Sequence, residues 1–135
     1  MRVDRVLETC LYATDLDAAE RFYASVLGLE PIGRQAGRHV FFRCGAGVVL
    51  LFNPEETERG GDDVPAHGAR GPGHVAFAVP DAEVPVWRSR LERMGVSVEV
   101  EITWPRGGGR SLYLRDPAGN SVELASDRLW ATFSD

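Results

Sequence analysis

The chain has 135 residues, 44% hydrophobic and 26% charged, with a net charge of −5, enough apolar content for one packed domain or two small modules sharing a core and too much for a disordered chain. All fifteen basic residues are arginine, which excludes lysine Schiff-base chemistry and a Walker-type phosphate loop, and no arginine cluster is dense enough to predict a nucleic-acid partner. The longest apolar run, Val48 to Phe52, is far short of the ~20 residues of a membrane span, and the charged start Met1–Arg5 and only two cysteines, Cys10 and Cys44, predict a cytoplasmic protein without disulfides.

In chain order, an apolar run from Glu8 ends at Asp15, the predicted cap of a helix that carries Ala19, Phe22, Tyr23 and Val26 on one face and stops at Gly28. Strand-like alternation follows over Leu29–Arg34, His39–Cys44 and Val48–Asn53, punctuated by Gly37 and Gly45-Ala46-Gly47. The polar, Gly- and Pro-rich residues 54–72 have no periodicity and predict a linker loop. A second apolar run from His74 ends at Asp81, the predicted cap of a second helix with Pro85 in its first turn, Trp87, Leu91 and Met94 on one face, and a stop at Gly95. Strands are then predicted over Val96–Trp104, Ser111–Arg115 and Ser121–Ala125. The apolar Leu129, Trp130 and Phe133 predict that the tail, residues 127–135, docks on the body.

Each half thus reads βαβββ, and Asp15 and Asp81 lie sixty-six positions apart, about half the chain, so a duplication is the economical account. The expected fold class is α+β: two tandem βαβββ modules, 1–53 and 73–126, joined by the linker 54–72 and followed by the tail, together one domain over 1–135. Either module alone is short for independent stability.

The repeat also singles out chemistry. Seven residues before the two aspartates stand Glu8 and His74, titratable side chains near the start of apolar strands. On the last strand Glu123 separates Val122 from Leu124 and so points to the opposite sheet face. Glu8 and His74 each alone read equally well as surface residues, and Glu123 alone reads better as an ordinary solvent-facing glutamate. Together they form two carboxylates and an imidazole presented by equivalent modules, a ligand set suited to Mn, Fe, Co, Ni, Zn or Mg with positions left open for substrate. Cys10 and Tyr12 share the face of Glu8 and become candidate substrate contacts. The loop from Trp104 to Arg110 combines three glycines with Arg106 and Arg110, which suits a carboxylate or phosphonate group as well as a plain flexible hairpin. His39 and Arg43 are read as surface residues, with an anionic substrate as the alternative.

Thr14-Asp15-Leu16-Asp17, Arg21-Phe22-Tyr23, Leu27-Gly28-Leu29, Gly73-His74-Val75-Ala76-Phe77 and the run from Leu112 to Asn120 leading into Val122-Glu123 occur in an order and spacing that resemble the vicinal oxygen chelate superfamily, over residues 5–125. This superfamily comprises glyoxalase I, fosfomycin-resistance proteins, extradiol dioxygenases, methylmalonyl-CoA epimerase and bleomycin-binding proteins. The resemblance implies paired βαβββ modules whose sheets curl around a metal site, with the ligands falling on Glu8, His74 and Glu123. Val48-Val49-Leu50-Leu51-Phe52 offers no fourth ligand, so the three-ligand type is implied, with Glu8 departing from the histidine usual there. It implies a role near the metal for Tyr113, catalytic roles for Glu8 and Glu123, and a homodimer in which module one of one chain meets module two of its partner. Three activities are compatible: lyase- or isomerase-type chemistry on a substrate with adjacent oxygens, ring-cleaving Fe(II) dioxygenase activity, and metal-free drug sequestration of the bleomycin-resistance kind.

Overall fold

A computed structural model describes residues 1–61 and 63–131. The chain divides into two compact units, Met1–Gly73 and His74–Asp135. Unit one runs β1 (Glu8–Tyr12), α1 (Leu16–Arg21), β2 (Glu30–Gln35), β3 (His39–Cys44), β4 (Gly47–Phe52) and α2 (Pro54–Glu58). Unit two runs β5 (His74–Val79), α3 (Val84–Arg93), β6 (Val100–Thr103), β7 (Arg110–Arg115) and β8 (Ser121–Ser126). Each unit holds one open four-stranded mixed sheet, in the order β1-β4-β3-β2 or β5-β8-β7-β6. In each, the first strand lies parallel to the last, while the remaining pairs are antiparallel. The α+β class and the tandem βαβββ modules are therefore observed.

The first helix begins as its sequence dictates. The Asp15 carboxylate accepts the Ala18 amide at 3.0 Å, satisfying one of the orphan donors of the first turn. After Arg21 the coil widens into a π-helical turn, Phe22–Val26, and ends before Gly28 at φ +74°. Ala19, Phe22, Tyr23 and Val26 are buried as the periodicity predicts, and they pack with Phe42 and Leu51 of the sheet into the core of unit one. In unit two the core gathers Val84 and Leu91 of α3 with Leu112, Leu114, Val122 and Leu124.

Four expectations change. Asp81 is not a cap: its Oδ1 accepts the Ser126 hydroxyl at 2.5 Å and its Oδ2 the Arg128 guanidinium at 3.0 Å, tying a 3-10 turn, Asp81–Glu83, to the end of β8. Of the predicted face of α3, Leu91 is buried but Met94 is 42% exposed, and Val84 takes the place in the core. Residues 54–72 are not all loop, because Asn53 accepts the Glu55 amide and Pro54 occupies the first turn of α2. In the tail, Trp130, expected to be covered, is 72% exposed, and Phe133 lies outside the described residues.

The hydrogen bond from Ser126, with Arg128 and Arg110 nearby, holds the Asp81 carboxyl below its ordinary value of 3.8. A depressed carboxyl stabilises the fold fully above its unfolded value and loses that contribution as pH falls through the folded one. Asp81→Asn is therefore expected to flatten the acid limb of thermal stability below about pH 4, measured by circular dichroism melts.

Candidate metal centre and substrate pocket

Register defines the site. In unit one Glu8 pairs with Val48, which pairs with Arg43; Cys10 pairs with Leu50, which pairs with Phe41; Tyr12 pairs with Phe52, which pairs with His39. In unit two the matching rows are His74, Ser121 and Arg115; Ala76, Glu123 and Tyr113; and Ala78, Ala125 and Ser111. Since opposed residues in neighbouring strands share a face, each row lines one side of its sheet. Glu8 and His74 occupy equivalent places, and Leu50 stands in unit one where Glu123 stands in unit two.

Two of the three predicted ligands come together within unit two. His74 Nε2 lies 3.3 Å from Glu123 Oε2, with the His74 side chain 51% and the Glu123 side chain 6% exposed. Glu123 is thus no solvent-facing residue on an amphipathic strand; it is buried, and its Oε1 has no hydrogen-bond partner among the described residues. His74 Nδ1 lies 3.1 Å from the Ser121 carbonyl oxygen. A carbonyl only accepts, so Nδ1 carries a proton directed at Ser121, and the ring is turned so that Nε2 faces the carboxylate. Tyr113 stacks beside His74 with ring centroids 6.3 Å apart. Burial, and after it the Glu123 carboxylate, push the Tyr113 hydroxyl up to about 12, so it stays a neutral donor at physiological pH. A depression of about 210 Å³ next to Tyr113 is lined also by Val100, Ile102 and Ser121.

Glu8, Cys10 and Tyr12 lie in unit one and line a pocket of about 800 Å³. Among the described residues no group of three or more His, Cys, Asp or Glu side chains converges as a metal site. The pocket contains residues that the sequence reading left aside. His39, read as a surface residue, is half-buried and stacked flat on Phe41, with centroids 4.2 Å apart and planes 9° apart. His67, from the stretch read as linker, reaches Tyr12 Oη with Nδ1 at 2.7 Å and sets its ring edge-on to Phe52. Burial foremost, then the neighbouring Cys10 and Glu58, push the Tyr12 hydroxyl up to about 12. No local pattern marks His67, since only chain reversal brings it to β1.

The two loop arginines do not join either group. Arg106 is exposed in the β6–β7 loop with φ +56°. Arg110 points its guanidinium to the Asp81 carbonyl oxygen at 3.5 Å, and its amide donates to Ser126 Oγ at 2.8 Å. Arg43 is exposed at the far end of β3.

The model of the Glyoxalase/Bleomycin resistance protein/Dioxygenase superfamily matches residues 2–124. The chain belongs to this superfamily. Among its relatives is the metallothiol transferase FosB of Bacillus licheniformis, 26% identical over 111 residues that cover 82% of this chain and 68% of that protein. The crystal structure of a lactoylglutathione lyase from Agrobacterium tumefaciens superposes with a TM-score of 0.91 at 46% identity, covering 96% of this chain and 98% of the other. The fosfomycin resistance protein FosX of Listeria monocytogenes shares the fold, with a TM-score of 0.70 at 21% identity over 93% of this chain and 94% of its own. In a further structure a mutant of FosX, 22% identical over 93% of each chain with a TM-score of 0.67, is complexed with Mn(II) and a dihydroxypropylphosphonic acid. Among the described residues no helix is long and apolar enough to cross a membrane.

Proposed function

We propose that this protein is a metal-dependent enzyme in which a divalent ion, held by His74 and Glu123 and completed by Glu8, binds adjacent oxygens of a small substrate for lyase- or isomerase-type chemistry. One observation carries the reading. The Ser121 carbonyl orients His74 so that its Nε2 faces a buried carboxylate at 3.3 Å, beside an oxygen with no partner among the described residues. A ring nitrogen and a carboxylate oxygen facing each other at this distance are held together by positive charge between them, a proton or a metal ion. The donors are imidazole nitrogen and carboxylate oxygen, which fit Mn, Fe, Co, Ni or Zn. When bound, such an ion polarises a substrate oxygen and stabilises negative charge developing beside it.

The chain's own residues supply the rest. The Ser121 carbonyl orients the His74 ring, and Tyr113, held neutral, donates its hydroxyl proton to the Glu123 carboxylate beside the site where substrate oxygens would bind. Glu8 adds a second carboxylate, and in the homodimer we propose it serves the His74 and Glu123 of a second copy. The relatives that are a lyase and a metallothiol transferase, and the Mn(II) complex of FosX, support a metal-dependent reaction on a small molecule.

The test is elemental analysis of untagged protein beside the Glu8→Ala, His74→Ala and Glu123→Ala variants. The expected result is about one divalent ion per chain in the wild type, lost in every variant. Iron together with oxygen consumption would move the assignment to ring-cleaving dioxygenase chemistry. No bound ion after incubation with Mn, Fe, Co, Ni and Zn would overturn the reading in favour of drug sequestration, and a metal-loaded monomer would overturn the dimeric part.

A further inference from the structure

The pocket of unit one says what kind of substrate the site takes. Its floor is Val48, Leu50 and Phe52 of β4, and its wall is the parallel His39–Phe41 pair of β3. Phe52 stands at 72° to both rings of that pair, 5.4 Å from Phe41 and 5.9 Å from His39. His67 meets the same Phe52 at 78° and 4.8 Å. Four rings therefore form a corner of flat faces and edges, the arrangement in which a further ring gains both stacked and edge-on contact.

Charge narrows the choice. Arg38 lies 5.6 Å from the Phe52 centroid and bonds His39 Nδ1 at 2.9 Å through Nη1. A guanidinium only donates, so His39 accepts on Nδ1 and presents hydrogen on Nε2. Burial and Arg38 both keep the His39 ring neutral. Arg38 already takes the cation–π position over Phe52, which leaves the remaining ring surface to a neutral ring, while the Glu8 carboxylate in the same lining meets an acceptor oxygen only through a cation between them.

We infer that the substrate carries an aryl group, seated on the His39–Phe41 wall against Phe52 and His67, with its oxygens directed toward the end of the pocket occupied by Glu8. This rests on the proposed metal-dependent reading for the oxygens, but the aryl contact needs no metal.

The experiment is ligand-observed NMR with phenylglyoxylate, cyclohexylglyoxylate and pyruvate, on the full-length protein as purified and again after chelator treatment. The expected order places phenylglyoxylate about tenfold tighter than its saturated analogue, with the preference for the ring surviving metal removal. Phe41→Leu preserves apolar bulk but removes the flat face; it is expected to abolish the aryl-over-cyclohexyl preference with an unchanged melting curve. Phe52→Leu serves as the second variant should Phe41→Leu melt early. Equal binding of the phenyl and cyclohexyl compounds, binding of neither, or a preference untouched in a folded variant would overturn the inference. Aryl preference in a protein that takes up no metal would leave this inference standing while overturning the metal-dependent reading. Stoichiometric metal without aryl preference would do the reverse.

Discussion

Glu123→Leu is expected to yield a chain that resists urea better than the wild type and binds no metal. The residue is 4% exposed, its Oε1 has no partner among the described residues, and its Oε2 faces His74 Nε2. Leaving a buried acceptor unsatisfied costs roughly 1–3 kcal/mol, more when the group is charged. Leucine is already accommodated at the equivalent register position, where Leu50 is 9% exposed between Cys10 and Phe41. A gain of about 2 kcal/mol in the metal-free protein should raise the urea midpoint by about 1 M. Metal affinity should fall by more than about 100-fold, since loss of an outer partner alone costs about 10–100-fold. A lower midpoint would mean that the contacts of Glu123 with His74 and Tyr113 stabilise the fold more than its burial costs. Retained metal would remove Glu123 from the ligand set. A residue that weakens the empty scaffold at one position, where its twin position is apolar, has the energetic profile of a functional group.

The second large effect is expected at Asp116, which contacts no candidate substrate. In the turn between β7 and β8 its Oδ1 accepts the amides of Ala118 and Asn120 at 2.9 Å each, and its Oδ2 accepts the Asn120 side-chain amide, also at 2.9 Å. Both residues are buried, Asp116 at 4% and Asn120 at 2% exposure. Asp116→Ala removes three charge-assisted hydrogen bonds between buried groups, a loss of roughly 2–4 kcal/mol. The same turn sets where β8 begins, with Ser121 opposite Arg115 and therefore Glu123 opposite Tyr113. Metal uptake should weaken together with stability, and Asp116→Asn should recover part of both. Urea unfolding and elemental analysis on the same preparations check it; a variant with wild-type midpoint would show that the turn does not depend on the carboxylate.

The residues that made the fold legible act locally. Asp15 caps α1 through an amide three residues away, and positive-φ glycines at 28 and 95 stop the helices. Alternation with a period of two placed β3 over His39–Cys44, as observed, because the pleat repeats with that period. Glu8 and His74 are marked by their equal distance from Asp15 and Asp81 in the duplicated module, and Glu123 by strand alternation. Asp81 shows where local reading stops. Its sequence context matches that of Asp15, yet its partners are Ser126 and Arg128, 45 and 47 residues on. Glu123 shows it again: alternation assigns a face, but whether that face meets water or is buried depends on what packs over it.

The sequence by itself thus determined the two βαβββ repeats, their shared family and the residue types that mark one sheet face, since capping, turn chemistry and strand alternation are properties of neighbouring residues. Only the tertiary structure decided that His74 and Glu123 meet, that His39 lies flat on Phe41, and that His67 reaches Tyr12 across 55 residues. Such contacts are made by chain segments whose sequence separation carries no period, so their partners are chosen by packing and burial over the whole sheet.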